Sequence, residues 1–204
     1  MESLVLNEKE KNKTFHFFYP IRNAEKFSKN GLILNLGCGE KAYREYVNID
    51  KKNLPGVDLV WDLEKTPLPF QDNSVSEIKC EHVLEHISNF MPLMEELYRI
   101  SKPKAKIKIF VPYYRYEGAY RDPTHVRFFT EHSFDYFQEG VKFSHYSKAR
   151  FKVKYVKKQI RFFSDVKERR KKIMQLIPDF LRPILDIFFW SIYSEINYEL
   201  EVLK

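Results

Sequence analysis

Apolar and polar positions along the chain follow two periods, and each change of period marks an element. Residues 32–36 are nearly all aliphatic and end on Gly37 and Gly39, as in a strand buried on both faces of a parallel sheet. Residues 46–50 read as a second strand closing on Asp50, and 56–62 as a third, opened by the Pro55-Gly56 turn and closing on Asp62. Two prolines, Pro67 and Pro69, keep the next stretch extended. Residues 75–80 are the fourth strand. Asn89 stands as a helix cap before Phe90, Leu93, Met94, Leu97 and Ile100, which recur at helical spacing. Residues 101–105 then read as a turn and 106–111 as a fifth strand. Thr130 is placed to cap a helix holding Phe134 and Phe137. Residues 151–155 alternate as a strand that 159–163 continues past a bulge, helical segments follow near 165–190, and 195–203 alternates strictly, with Ile196, Tyr198, Leu200 and Val202 on one side.

Length and composition set the frame for these elements. The chain of 204 residues suits one sizeable core, so a single domain is expected, with 1–31 as a cap, 32–112 as a cofactor-binding core and 113–204 as a substrate loop, basic segment and final strands. Phe15, Phe17, Phe18 and Tyr19 form an aromatic cluster in the cap, suited to packing across the sheet. Cys38 and Cys80 lack the spacing of a zinc site or disulfide framework, and the first residues lack the features of a signal peptide. A reducing cytoplasm is the expected location. The net charge of +7 is concentrated, because 142–172 holds 13 Lys or Arg against Asp165 and Glu168. Such a stretch attracts the phosphates of nucleic acid, a lipid surface or a phosphorylated substrate; alternatively it guards an exposed strand edge. Residues 180–193 are apolar, yet interrupted by Arg182, Pro183 and Asp186 and too short to span a bilayer. They can lie on a membrane surface or pack on the sheet, and packing is the expectation.

The candidate chemistry lies where strands end. Gly37 and Gly39 allow a ligand to approach the main chain closely, and an acid at the end of the second strand, Asp50, can accept both hydroxyls of a ribose. A nucleoside cofactor follows. Gly37, Gly39 and Ala42 fit the dinucleotide fingerprint formally, but that fingerprint wants its acid about 20 residues on, and Gly39 to Tyr46 leaves hardly room for a helix. Residues 82–86 spell the zinc-protease pattern H-x-x-E-H. They follow a strand rather than sit within a continuous helix with a third ligand further on, so no metal is expected. Residues 113–127 gather four tyrosines, three arginines, Asp122 and His125. Tyr113, Arg115, Tyr120 and Arg127 are the candidate substrate residues, since aromatic walls exclude water and guanidinium groups orient anions or hydroxyls. His125 is the candidate base, with Asp122 to orient it or to hold substrate, and His82 is the second choice.

Residues 34–39, 47–50, 61–70, 72–74 and 81–86, in that order, resemble the class I S-adenosylmethionine-dependent methyltransferases, within a methyltransferase-11-like subgroup. The resemblance implies an α/β fold: a Rossmann-like, doubly wound, mostly parallel seven-stranded sheet with an antiparallel C-terminal strand between the fifth and sixth. It implies S-adenosylmethionine as cofactor, held by Asn35, Gly37, Cys38, Gly39, Asp50, Asp62, Leu63, Glu81 and His82. In it Asp62 meets the exocyclic amine of adenine, the Leu63 amide lies near a ring nitrogen, and His86 is structural. Two departures are Asn35, where the family usually has an acid, and Lys41, where it often has a glycine. Residues 122–127 with Phe128, Phe129 and Thr130 look like a segment of methyltransferases of glycans and small molecules. A hydroxyl oxygen of such an acceptor is the expected target. An RNA methyltransferase that uses 142–172 as a phosphate track, and a non-catalytic cofactor-binding module, are the alternatives. Peripheral membrane contact through 142–193 is a further partner reading.

Overall fold

In the computed structural model, which describes residues 31–160 and 176–204, seven strands form one sheet in the order β3-β2-β1-β4-β5-β7-β6. They are β1 (Leu32–Leu36), β2 (Val47–Asp50), β3 (Leu59–Val60), β4 (Val75–Glu81), β5 (Ser101–Pro112), β6 (Phe151–Gln159) and β7 (Glu195–Val202). The first five pair in parallel, and β7 runs antiparallel between β5 and β6. This is the Rossmann-like plan expected from the sequence. The strand order reverses between β1 and β4, and in open α/β sheets that reversal opens a crevice at the carboxyl ends of the strands.

One face of the sheet carries the core. Leu34, Leu36, Ile78, Cys80, Ile107, Ile109, Tyr198 and Leu200 are buried there with Leu93, Met94 and Leu97 of helix α1 (Phe90–Ile100) and the rings of Phe129, Phe134 and Phe137. The other face differs from the aliphatic one expected. Because side chains alternate along a strand, Glu77, Lys79 and Glu81 of β4 and Lys106 and Lys108 of β5 share it, and they pair off: Lys108 with Glu77 at 2.9 Å and Lys79 with Glu81 at 3.0 Å.

Several boundaries move for reasons outside the local sequence. The segment 101–105 is strand rather than turn, since Ser101 pairs with Val75 and Lys104 absorbs the irregularity at φ +64°. Strand β6 runs unbroken through Gln159, with its bulge between Val153 and Tyr155. Asn89 makes no side-chain cap for α1; the carboxylate of Glu64 accepts the amides of Ser88 and Asn89 at 2.7 and 2.8 Å, the favourable place for a negative charge at a helix start. Around Phe134 and Phe137 there is only a 3₁₀ turn (Asp135–Phe137). The cap segment 1–30 and the stretch 161–175, with the aromatic cluster and much of the basic run, lie outside the described residues.

The expected packing of 180–193 is reversed over most of its length. Ile192 and Tyr193 are buried, but Phe180, Ile184, Ile187, Phe188, Phe189 and Trp190 are exposed. Helix α3 (Arg182–Phe188) follows the one-turn helix α2 (Gly118–Arg121) in chain order, and Asp186 is its buried residue. Asp186 accepts from Lys158 Nζ at 2.8 Å and faces the Tyr113 hydroxyl at 3.1 Å. Thus a polar anchor faces inward and the apolar side chains face out. Among the described residues no helix is long and apolar enough to cross a membrane.

Candidate active site

The end of β1 needs its two glycines for different reasons. Gly37 has φ +62°, and a Cβ there would stand 2.4 Å from Cγ2 of Val83, just beyond β4. Gly39 has φ +51° and would meet nothing among the described residues within 4 Å, so among them its main chain borders open space. Asp50 ties this turn to β2: its Oδ2 accepts the Gly39 amide at 2.8 Å and its Oδ1 the Lys52 amide at 2.9 Å. Each carboxylate oxygen keeps a further acceptor position. The Trp61 amide donates to the Asp50 carbonyl at 2.9 Å, which draws Asp62 and Leu63 to the same edge. Asp62 Oδ1 accepts the Glu64 amide at 3.1 Å, and Leu63 is buried.

No helix lies between Gly39 and Tyr46. Asn35 holds that loop from beneath, donating from Nδ2 to the Lys41 carbonyl at 2.9 Å and to Asn48 Oδ1 at 3.0 Å. Its amide therefore faces the interior rather than the open space beside Gly39. Cys38 is buried, and its amide donates to the Ile49 carbonyl. Glu81 closes β4 with its carboxylate between Lys41 (2.7 Å) and Lys79 (3.0 Å), at the rim of a cleft of about 440 Å³ that Tyr43, Gln159 and Asn197 also line.

A second cleft, of about 490 Å³, opens where β4 and β5 end; His82, Glu85, His86, Tyr116, Asp122 and His125 line it. His82 sits at φ +55° with Nδ1 3.3 Å from Glu85 and Nε2 3.0 Å from Glu195. Burial alone would lower its pKa, but the two carboxylates outweigh that and push it up to about 9. An imidazolium already held at both nitrogens cannot take a proton near neutral pH, so His82 is no base.

His125 is the better placed ring. Its Nδ1 lies 2.8 Å from the Ala119 carbonyl, which can only accept, so Nδ1 carries the proton and Nε2 the lone pair. Asp122 does not orient it, because its nearer oxygen is 3.9 Å from Nε2. Asp122 Oδ1 instead accepts from the amide and hydroxyl of Thr124 at 2.9 and 2.7 Å, hydrogen bonds that hold its pKa below the usual carboxylate value. The Thr124 hydroxyl, its proton given to Asp122, accepts from Nδ1 of His86 at 2.9 Å. His86 thereby keeps a lone pair on Nε2 as well, and its ring meets that of His125 edge-on at 4.7 Å.

None of the four residues expected to hold substrate lines this cleft. Tyr113 is buried against Asp186 and Glu131. Arg115 reaches the carbonyls of Ile187 and Phe189, Tyr120 stacks on Phe128, and the Arg127 guanidinium lies 4.5 Å above the Phe90 ring. Glu85, Tyr116 and Arg121 take their place. Of these only Glu85 carried a sequence signal, in the H-x-x-E-H pattern with His86; the other two are of the same residue types as their loop neighbours Tyr113, Arg115, Tyr120 and Arg127, and nothing local separates them.

Residues 34–109 match the family model described as a methyltransferase domain. With the strand order above, that match is in keeping with the resemblance to the class I S-adenosylmethionine-dependent methyltransferases, whose cofactor is S-adenosylmethionine. Among solved structures, the chain is similar to a SAM-dependent methyltransferase from Archaeoglobus fulgidus (16% identity, 87% of this chain and 88% of that one, TM-score 0.56). It is also similar to the YcgJ protein from Bacillus subtilis (15% identity, 87% and 94%, TM-score 0.55). A third is phosphoethanolamine N-methyltransferase 2 from Haemonchus contortus in complex with S-adenosyl-L-methionine (16% identity, 87% and 50%, TM-score 0.53). At these identities the likeness is one of fold. No curated protein sequence matches the chain.

Proposed function

We propose that this protein transfers a methyl group from S-adenosylmethionine to a hydroxyl oxygen of a glycan or small-molecule acceptor bound in the 490 Å³ cleft. The observation that carries the reading is the pair of imidazoles, His86 and His125, each with Nδ1 engaged and Nε2 left as an acceptor. The cofactor fits the adjoining edge. Open space beside Gly39 and the remaining acceptor positions of Asp50 suit a ribose, Asp62 and the Leu63 amide suit the edge of a purine, and Glu81 and His82 flank the far end. When bound, S-adenosylmethionine supplies an electrophilic methyl carbon. The chain's own part is to align the acceptor oxygen and exclude water, an effect that reaches about 7–11 kcal/mol in well-oriented systems, while Nε2 of His125 takes the hydroxyl proton.

Incubation with methyl-labelled cofactor and fractionated cell extract tests the acceptor: label in glycan or a small soluble compound is expected, and label confined to RNA overturns it. Asp50→Ala should weaken S-adenosylhomocysteine binding by about 10- to 150-fold, the worth of hydrogen bonds to a charged group. Calorimetry reads this, and an unchanged affinity removes Asp50 from the cofactor site.

For the partner, support favours a membrane surface over RNA. The described lysines of the basic segment are partly committed, Lys154 to Glu201 and Lys158 to Glu131 and Asp186, whereas the apolar side of α3 and the 187–190 turn faces outward beside the exposed rings of Tyr120 and Phe128. We infer that this ridge rests on an anionic bilayer. The double variant Phe188→Ser/Trp190→Ser should bind phosphatidylglycerol vesicles about tenfold more weakly or worse, since each buried aromatic side chain contributes roughly 1.5–3 kcal/mol. Equal co-sedimentation of wild type and variant would remove the contact.

A further inference from the structure

We propose that Glu85, His86 and His125 form a binding site for one divalent transition-metal ion. A ligand atom from each lies within 4.8 Å of the other two, whereas donors about 2.0–2.2 Å from one ion stand at most about 4.4 Å apart, so small side-chain rotations close the set. An independent observation points the same way. Glu85 is 1% exposed, and its Oε2 is buried with no hydrogen-bond partner among the described residues, although it lines the cleft. A buried carboxylate oxygen left unpaired is costly, and a cation satisfies it.

The surroundings are those that metal-bound histidines need. Each ligating imidazole must have its second nitrogen hydrogen-bonded, which fixes both ring orientation and tautomer. His125 has the Ala119 carbonyl at 2.8 Å, and His86 has Thr124 at 2.9 Å, itself backed by Asp122 at 2.7 Å. Two imidazoles and one carboxylate suit ions such as Zn²⁺, Fe²⁺ or Co²⁺, while Mg²⁺ and Ca²⁺ prefer oxygen alone. Three protein ligands leave a coordination position open, here toward the cleft. The zinc-protease spacing would recruit His82 with His86, but His82 is held by Glu85 and Glu195; the third ligand comes instead from the loop after β5. This inference goes beyond the acceptor reading, because ion binding needs neither cofactor nor acceptor. Ion and base are alternative uses of one lone pair: with the ion bound, Nε2 of His125 would be a ligand, and only the ion-free protein offers it to the hydroxyl proton.

Co²⁺ titrated into the full chain without acceptor tests the site by visible absorption. A single Co²⁺ per chain with d–d bands, displaced by Zn²⁺, is expected. Glu85→Gln, His86→Asn and His125→Asn should each weaken it by about 100-fold or more, and Thr124→Val, which only frees the His86 ring, by about tenfold. Retained S-adenosylhomocysteine binding shows that each variant is folded. Absence of a Co²⁺ spectrum at millimolar ion, or one unaltered in both histidine variants, overturns the site. Active transfer without Co²⁺ binding overturns only the cation, and Co²⁺ binding without transfer to any hydroxyl acceptor overturns only the acceptor reading.

Discussion

His125→Asn should lower the rate of methyl transfer by about 10²–10⁴-fold, the usual worth of a positioned proton acceptor, while leaving S-adenosylhomocysteine affinity within about twofold. The reason is geometric. Its ring is nearly buried at the cleft wall, its Nδ1 proton is directed at the Ala119 carbonyl, and Nε2 is the atom presented to an acceptor. Asparagine can keep the bond to Ala119 but offers no basic nitrogen. Asp122→Asn should do much less, because Asp122 shapes the loop through Thr124 and does not hydrogen-bond His125. Single-turnover transfer of labelled methyl measures both. Equal losses in the two variants would mean that the loop's shape, and not the imidazole, limits the reaction.

Gly37→Ala should destabilise the fold by about 2–5 kcal/mol, a sum of left-handed backbone strain and overpacking, and lower Tm by roughly 4–20 °C. The new methyl would meet Val83 at 2.4 Å, with φ already at +62°, and Val83 is itself buried. Gly39→Ala makes the informative contrast. It bears the backbone cost of about 1–2 kcal/mol, but its methyl enters open space, so the main loss should appear in cofactor affinity. Differential scanning calorimetry and cofactor titration on the pair separate the two. A Gly39 variant that binds cofactor normally would place the adenosine elsewhere.

Those two glycines show how unevenly the site can be read from the chain. That a strand ends on Gly37 and Gly39 is visible in the residues; that one makes room for Val83 and the other borders the cleft is not, because Val83 arrives from the turn beyond β4. The acid that closes β2 and the one two residues beyond β3 were legible for the same local reason. The start of β5 was hidden, since Ser101 is strand only through its pairing with Val75, and the capping of α1 was hidden because Glu64 comes from another segment. In the loop after β5, residue type alone singled out Tyr113, Arg115, Tyr120 and Arg127, yet their side chains serve the core or the α3 ridge.

Period and turn residues therefore determined the order of the strands' segments, the glycine turn and the two carboxylates, because each depends on neighbours a few positions away. Only the tertiary structure decided that His86 and His125 face each other over a buried Glu85, and that α3 turns its apolar side outward. Both depend on contacts between segments far apart in the chain, which no local pattern encodes.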